Sequence, residues 1–162
     1  MASTRWFLNL DGIPGESAAV DHKGEIDVLS YSWGVASGGS GTMSGGHVAG
    51  KATFTDLHIT TPLSIASPKL FLACATGQHI KKATLVGLRN TGKGKGAEVL
   101  EVTMEDILIT SVTESGEPNA VPSESLSLAY SKIEITYTPM TTTGAAGTPV
   151  TVRYDLKANK EV

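Results

Sequence analysis

A glycine- and serine-rich segment, residues 36–50, separates two stretches that have the alternating side chains of β-strands. Six of its residues are glycine and three are serine. Long segments without regular structure are uncommon inside compact domains unless they are disordered or functional. Glycine also increases the entropy lost on ordering, so such a loop needs a surface to lie on. We therefore interpret residues 36–50 as a long extended Gly/Ser loop, with Met43, His47 and Val48 as its contact residues.

Alternating apolar residues predict that most of the chain is β-structure. The predicted strands cover residues 5–10, 25–33, 51–59, 82–89, 99–113, 123–138 and 150–157. In two of them the apolar positions change phase, from Phe54 to Leu57 in one and from Tyr130 to Ile133 in the other. A change of phase indicates a bulge or a bend between two sheets. The sequence therefore predicts a mainly β fold, either a barrel or a strongly bent sandwich.

One short segment, residues 68–76, carries the signals of a helix. Ser67 can cap its start, Pro68 fits the first helical position, and Gly77 supplies the left-handed residue that ends a helix. Apolar residues recur at helical spacing from Leu70 onwards. We therefore expect one α-helix in the chain.

Size, charge and cysteine content limit the class of protein. The 162 residues suit one domain, the formal net charge is −3, and the 13 basic residues are scattered. This composition argues against nucleic acid and anionic membranes as partners. Cys74 is the only cysteine, so no internal disulfide can form. We find no signal peptide pattern and no apolar run of membrane-spanning length, so we predict no membrane insertion.

One stretch partly matches a phosphate-binding loop. Gly45, Gly50 and Lys51 have the required spacing, but Ala52 stands where such a loop needs a hydroxyl for magnesium. The residues that follow alternate like a strand, whereas a phosphate cradle needs the N-terminus of a helix there. We therefore predict no nucleotide cofactor.

No set of residues predicts catalysis or metal binding. Cys74 is near His79 in sequence, but it falls on the predicted core side of the helix, where free cysteine usually behaves as a small hydrophobe. The four histidines show no metal-binding spacing. Solvated strand faces explain two acidic pairs, Glu25 with Asp27 and Glu105 with Asp106. We predict that the chain is not an enzyme and binds neither a metal nor another cofactor.

Five motifs give the chain its resemblance to a known family. They are GES at residues 15–17, EIDVLSYSWG at 25–34, AGK at 49–51, SPKLFLACATGQHI at 67–80 and KIEITY at 132–137. Each motif alone is weak, but their order is specific and together they span almost the whole chain. On these motifs the chain resembles the Hcp family, the haemolysin-coregulated proteins that form the inner tube of bacterial type VI secretion systems.

The resemblance implies a two-sheet β-barrel-like sandwich with one flanking α-helix, and a chain that works as part of an assembly. Similar chains form hexameric rings with a wide central channel, and the rings stack into a tube. The implied partners are further copies of the chain, the type VI sheath and spike, and small effector proteins that bind in the channel and are protected there. The implied route is cytoplasmic before firing and then secreted through the type VI system without a signal peptide.

The resemblance also implies roles for individual residues. The family's effector-binding channel position matches Ser32, and Ser30 lies one alternation earlier on the same strand face. Alternation alone does not say which face is wet, so two serines on an ordinary outer face remain an alternative. Met43, His47 and Val48 are expected to contact an adjacent subunit or the next ring.

The resemblance leads us to expect a single tube domain over residues 1–162, without a C-terminal effector extension, since the last predicted strand ends close to Val162. Three other interpretations stay open. They are a phage-type tail tube protein, a small-ligand-binding β-barrel with a closed apolar interior, and a small hydrolase.

Overall fold

The computed structural model describes residues 3–40, 48–92 and 96–162 of the chain. Over these residues the chain forms one helix, α1 (Ser67–Thr76), and twelve strands: β1 (Thr4–Leu10), β2 (Ile26–Val28), β3 (Ser30–Ser32), β4 (Val35–Ser40), β5 (Val48–Phe54), β6 (Leu57–Pro62), β7 (His79–Arg89), β8 (Ala97–Ser115), β9 (Ser123–Ala129), β10 (Lys132–Tyr137), β11 (Val150–Asp155) and β12 (Lys160–Glu161).

Strand β8 is the longest strand and joins the two layers of the fold. Its first half lies between β7 and β10, and its second half pairs with β9. Strands β9 and β10 run antiparallel to β8 like one strand interrupted at Tyr130 and Ser131. The strand bends at an irregularity between Ile109 and Ser111. The two halves of β8 therefore belong to different layers.

Ten strands form these two layers, and two strands stand apart. The first layer has the order β12-β11-β10-β8-β7-β1-β2, and the second has the order β8-β9-β6-β3. Leu29 separates β2 from β3 and interrupts the ladder, so the layers form a barrel-like sandwich without a closed barrel. Strands β4 and β5 form a separate two-stranded sheet. The predicted mainly β, two-sheet fold with one flanking helix is confirmed.

Both predicted changes of phase mark a break between strands. Thr55 and Asp56 separate β5, in the two-stranded sheet, from β6, in the ten-stranded one. Tyr130 and Ser131 separate β9 from β10. Because the strands on either side of each break face different neighbours, their apolar positions shift by one residue.

The described parts of the glycine-rich segment, residues 36–40 and 48–50, are extended as predicted and pair with each other. Strands β4 and β5 run antiparallel with one irregularity in their register. We call this hairpin the arm. Gly50 lies so close to the backbone of Gly38 that a side chain there would collide with it, which explains why glycine occupies this position. The pairing could not be predicted because glycine and serine carry no strand pattern.

Helix α1 confirms the predicted helix but not its predicted cap. The helix ends at Gly77, whose φ of 67° is left-handed. Ala66 occupies the N-cap position, and no side chain caps the helix, so the prediction that Ser67 caps it is wrong. Instead the Ser67 hydroxyl donates a hydrogen bond of 2.8 Å to Oε1 of the buried Glu124. The hydroxyl is needed there because a buried carboxylate without partners is costly.

Apolar side chains fill the space between the layers. Strands of both layers and the inner face of α1 contribute the largest fully buried ones, which are Leu8, Ile26, Leu57, Ile59, Leu70, Ile80, Leu85, Met104, Ile107, Leu126 and Leu128. Phe7 is also fully buried, but on the other face of β1, where its ring stacks on that of His22 at 4.7 Å between centroids. A small-ligand-binding barrel requires an open interior. The packed interior of this chain does not support that interpretation.

Candidate functional site

The outward face of the second layer carries polar side chains on every strand. Eight positions define this surface, which we call the hydroxyl face: Ser30, Ser32, His58, Thr60, Ser111, Thr113, Ser125 and Ser127. Seven of them are serine or threonine, and none is acidic, lysine or arginine. The hydroxyl face is therefore a polar surface without fixed charge.

Strand register aligns these residues in two rows across four strands. One row consists of Ser32, His58, Ser127 and Ser111, and the other of Ser30, Thr60, Ser125 and Thr113. Residues directly opposite each other in antiparallel strands project to the same side, with Cβ atoms about 4.5–5.5 Å apart. The eight side chains therefore form one continuous surface.

The intervening residues of the same strands point into the core. Ile59 and Leu126 are only 1% exposed, and Tyr31 packs against the buried cluster. Ser30 and Ser32 are both exposed on β3. The prediction that these two serines share one face is confirmed, and the opposite face of the layer belongs to the core.

Hydrogen bonds tie the strands of this layer together beyond the backbone ladder. His58 Nδ1 lies 2.8 Å from the Ser127 hydroxyl oxygen on the neighbouring strand. At the irregularity in β8, the Thr110 hydroxyl donates a 2.7 Å hydrogen bond to Oδ2 of Asp56, which precedes β6. These contacts hold His58 against β9 and tie the bend of β8 to the start of β6.

Sequence reasoning identified Ser30 and Ser32 but missed the other six members of the hydroxyl face. A signal was present, because small polar residues alternate with apolar ones in the SESLSLA of β9 and the LHITTP of β6. The strand order was not visible in the sequence. It places β6 between β3 and β9 and so brings distant segments into one surface.

The predicted contact residues of the glycine-rich segment are only partly described. Met43 and His47 lie outside the described residues. Val48 contributes its backbone to the end of the arm, where it pairs with Ser40. The contacts of Met43, His47 and Val48 with a neighbouring copy therefore stay a prediction.

An aromatic cluster anchors the base of the arm to the ten-stranded sheet. The ring of Phe54 lies 6.5 Å from that of Tyr130 and 5.2 Å from that of Tyr154, measured between centroids. The Tyr130 hydroxyl donates a 3.0 Å hydrogen bond to the carbonyl oxygen of Thr55. Burial, with the charge of Asp56 as a smaller cause, raises the pKa of Tyr130 to about 12. The ring contacts of Phe54 and the hydrogen bond from Tyr130 therefore fix the base of the arm to the ten-stranded sheet.

A second polar cluster surrounds Asp106, a left-handed residue of β8 with a φ of 57°. Its carboxylate accepts hydrogen bonds of 2.7 Å from Lys157 and from Ser131, and lies 2.9 Å from His79 Nδ1. The hydrogen bond from Lys157, followed by those from Ser131 and His79, lowers the pKa of Asp106 below its ordinary range. The same contact raises the pKa of Lys157. This cluster ties the segment after β11 to the middle of β8, between the part that pairs with β10 and the part that pairs with β9.

The chemistry of these groups is that of hydrogen bonding. Within residues 3–40, 48–92 and 96–162, no group of three His, Cys, Asp or Glu side chains could hold a metal ion. Cys74 is half-buried on α1, and His79 contacts Asp106. No helix in the described chain has the length and apolarity needed to span a membrane. The hydroxyl face offers many hydrogen-bond donors and acceptors to a polar partner.

Sequence comparison places the chain in a family. Residues 7–137 match the family described as type VI secretion system effector, Hcp. The chain is also 33% identical over 155 residues to Protein hcp1 of Pseudomonas aeruginosa, with 94% of this chain and 95% of that protein covered.

Solved structures agree with the sequence comparison. Hcp1 from Salmonella typhimurium superposes with a TM-score of 0.81 at 34% identity, over 100% of both chains. A structure described as a type six secretion system protein superposes with a TM-score of 0.93 at 26% identity, over 99% of this chain and 100% of that one. This chain therefore belongs to the Hcp family of type VI secretion proteins.

Proposed function

We propose that this chain is the structural subunit of a type VI secretion tube. Copies form hexameric rings, the rings stack, and small effectors bind and are protected in the central channel. Residues 1–162 act as one tube domain, which is cytoplasmic until the system fires and is then secreted without a signal peptide. Its partners are further copies, the sheath, the spike and the effectors. Membership of the Hcp family supports this role.

The hydroxyl face is the observation that carries the proposal. A channel that passes folded or partly folded proteins needs a wall that stays wet and does not hold cargo by charge. Each hydroxyl can exchange a bond to water for a bond to cargo, at a net gain of only about 0.5–1.5 kcal/mol. We assign the hydroxyl face to the channel wall, with Ser30 and Ser32 in contact with effectors.

The edges of the second layer support association side by side. Within the described strands, β3 pairs only with β6, and the part of β8 beyond Leu108 pairs only with β9. An uncovered strand edge is a template for pairing with another chain. Neighbouring copies placed at these edges would cover them and extend the hydroxyl face around a channel.

The arm supports a contact outside its own protomer. An isolated two-stranded hairpin is at best marginally stable in water. Among the described strands, β4 and β5 pair only with each other. The arm is therefore expected to lie on an adjacent subunit or the next ring, with Met43, His47 and Val48 in contact there.

Negative-stain electron microscopy of the purified protein tests the assembly. We expect six-fold rings with a central channel. Shortening residues 36–50 should leave the rings intact but weaken their stacking, because the arm spans to a neighbour. A protein that stays monomeric at all concentrations would refute the proposal, and normal stacking of the shortened chain would refute the role of the arm.

A bulky substitution on the hydroxyl face tests the channel wall. Ser32→Trp should leave the rings intact but reduce the amount of small effector protein that co-purifies with them, because the indole blocks the wall. Thr142→Trp is the matched control, since Thr142 is an exposed residue outside the hydroxyl face. Equal effector retention by both variants would contradict the assignment of Ser32.

A further inference from the structure

A row of charged residues with alternating sign crosses the first layer. Strand register places five of them directly opposite one another on adjacent strands, in the order Lys160, Asp155, Lys132, Glu105 and Lys82. Asp11 follows next, because its backbone N–H donates a 3.1 Å hydrogen bond to the carbonyl oxygen of Lys82. We call these six residues the charge row.

The four middle residues of the charge row are stabilised by oppositely charged residues of the same chain. Opposed residues on antiparallel strands project to the same side, and opposite charges there stabilise the pairing. Lys132 Nζ lies 4.0 Å from Glu105 Oε2, and the four middle residues line one open cleft of about 430 Å³. With strands about 4.8 Å apart, the row is roughly 24 Å long.

The two ends of the charge row have an oppositely charged neighbour on their inner side only, because Lys160 lies on the outermost strand β12 and Asp11 lies in the turn after β1, past the part of β1 that pairs with β2. Each middle residue has an oppositely charged neighbour on both sides, whereas Asp11 and Lys160 have one on one side only. Both are exposed, and neither forms an ion pair with another described residue. One end is negative and the other is positive, so the row of one copy is complementary to the row of the next.

We propose that Lys160 of one copy pairs with Asp11 of the neighbouring copy, so that the charge row continues from copy to copy. The inference rests on the proposed ring and names a surface that closes it. A contact between two different surfaces is heterologous, and heterologous contacts form rings when the rotation closes. A partner of another kind would match one end of the row, but a copy of this chain matches both.

The strand edge next to Lys160 has further features of an interface. Strand β12 covers only two positions of β11, so residues 150–153 keep an unpaired edge among the described strands. Val150 is 63% exposed and Val152 is 54% exposed, and Tyr137 on the neighbouring β10 is 54% exposed. These apolar side chains lie on the sheet face opposite to Asp155, so a copy that docks along this edge would meet them on one face and the charge row on the other. Apolar area supplies contact, while complementary charges select the partner and set the register.

Charge reversal tests the pairing directly. Lys160→Glu and Asp11→Lys each turn the proposed attraction into repulsion, which for an exposed pair changes the equilibrium about fivefold per contact. We expect each single variant to need about five to ten times more protein to form rings, measured by mass photometry in about 50 mM salt, where screening is weak. The double variant should form rings at nearly the concentration of the unmodified chain. An equimolar mixture of the two single variants should do the same, because each supplies the charge that the other lacks.

Two control variants separate the pairing from net charge. Lys69→Glu on α1 and Glu117→Lys before β9 change the charge equally, and both residues are exposed outside the charge row. These controls should form rings like the unmodified chain. Thermal unfolding of every variant checks that the fold is retained.

The outcomes distinguish the inference from the proposed function. If both single variants assemble normally, or if the double variant and the mixture assemble as poorly as the singles, the pairing of Lys160 with Asp11 is wrong while the ring proposal stands. If the unmodified chain forms no rings, the proposed function fails and the inference fails with it.

Discussion

Neighbouring substitutions in β9 should have opposite consequences for stability. Leu126 is 1% exposed in the core, whereas Ser125 is exposed on the hydroxyl face. Leu126→Ala removes buried methyl groups and leaves a cavity, so we expect the free energy of unfolding to fall by about 2–5 kcal/mol. Ser125→Ala changes an exposed side chain, so we expect a change within about 0.5 kcal/mol.

Thermal unfolding followed by circular dichroism measures this difference. In a domain of this size a change of 1 kcal/mol shifts Tm by about 2–4 °C, so Leu126→Ala should lower Tm by about 5–15 °C. Assembly raises apparent stability by mass action, so each variant is compared at two protein concentrations. The pair Ile59→Ala and Thr60→Ala repeats the comparison on β6, where Ile59 is buried and Thr60 belongs to the hydroxyl face.

A reversal of this pattern would refute the assignment of the two faces. If Ser125→Ala lowered Tm as much as Leu126→Ala, the serine face would be packed rather than wet. The hydroxyl face could not then line a channel.

Three further predictions follow from individual contacts. Asp106→Asn should lower Tm at neutral pH, and the difference in Tm from the unmodified chain should disappear in acid. The pKa of Asp106 is lower in the folded chain than its value of about 3.9 in the unfolded chain. Its contribution to stability is therefore present above a pH of about 3.9 and is lost as the pH falls through the pKa of the folded chain. If thermal scans show a difference in Tm that does not change with pH, this explanation is wrong. Gly50→Val should disrupt the arm, because the valine side chain would collide with the backbone of Gly38. Electron microscopy should then show rings that no longer stack. Unchanged tubes would contradict the role of the arm in stacking. Tyr130→Phe should lower the free energy of unfolding in urea by about 1 kcal/mol, since it removes the hydrogen bond to Thr55. Absorbance titration should also show the loss of one tyrosine that ionises at a pH of about 12.

Local patterns in the sequence predicted the elements of the fold well. The changes of phase after Phe54 and Tyr130 coincide with breaks between strands, because side-chain direction along a strand is a local property. Helix α1 ends at Gly77 because a left-handed residue suits glycine. Its start was predicted incorrectly in detail, since the hydroxyl of Ser67 is drawn to Glu124, a residue far away in sequence.

Properties that depend on strand order could not be predicted. The hydroxyl face requires β6 to lie between β3 and β9, and no local signal states that order. The cluster around Asp106 likewise joins His79, Ser131 and Lys157, which meet only because β8 pairs with both β7 and β10 up to this point. Ser32 was identified through the resemblance to the family, and Ser30 because alternation along one strand puts it on the same face.

Cryo-electron microscopy of the assembled protein tests the central claim most directly. We predict six-fold rings in which Ser30, Ser32 and the rest of the hydroxyl face line the central channel, with the apolar face of that layer buried behind it. Rings that carry the hydroxyl face on their outer surface, or a protein that forms no rings at high concentration, would contradict the account.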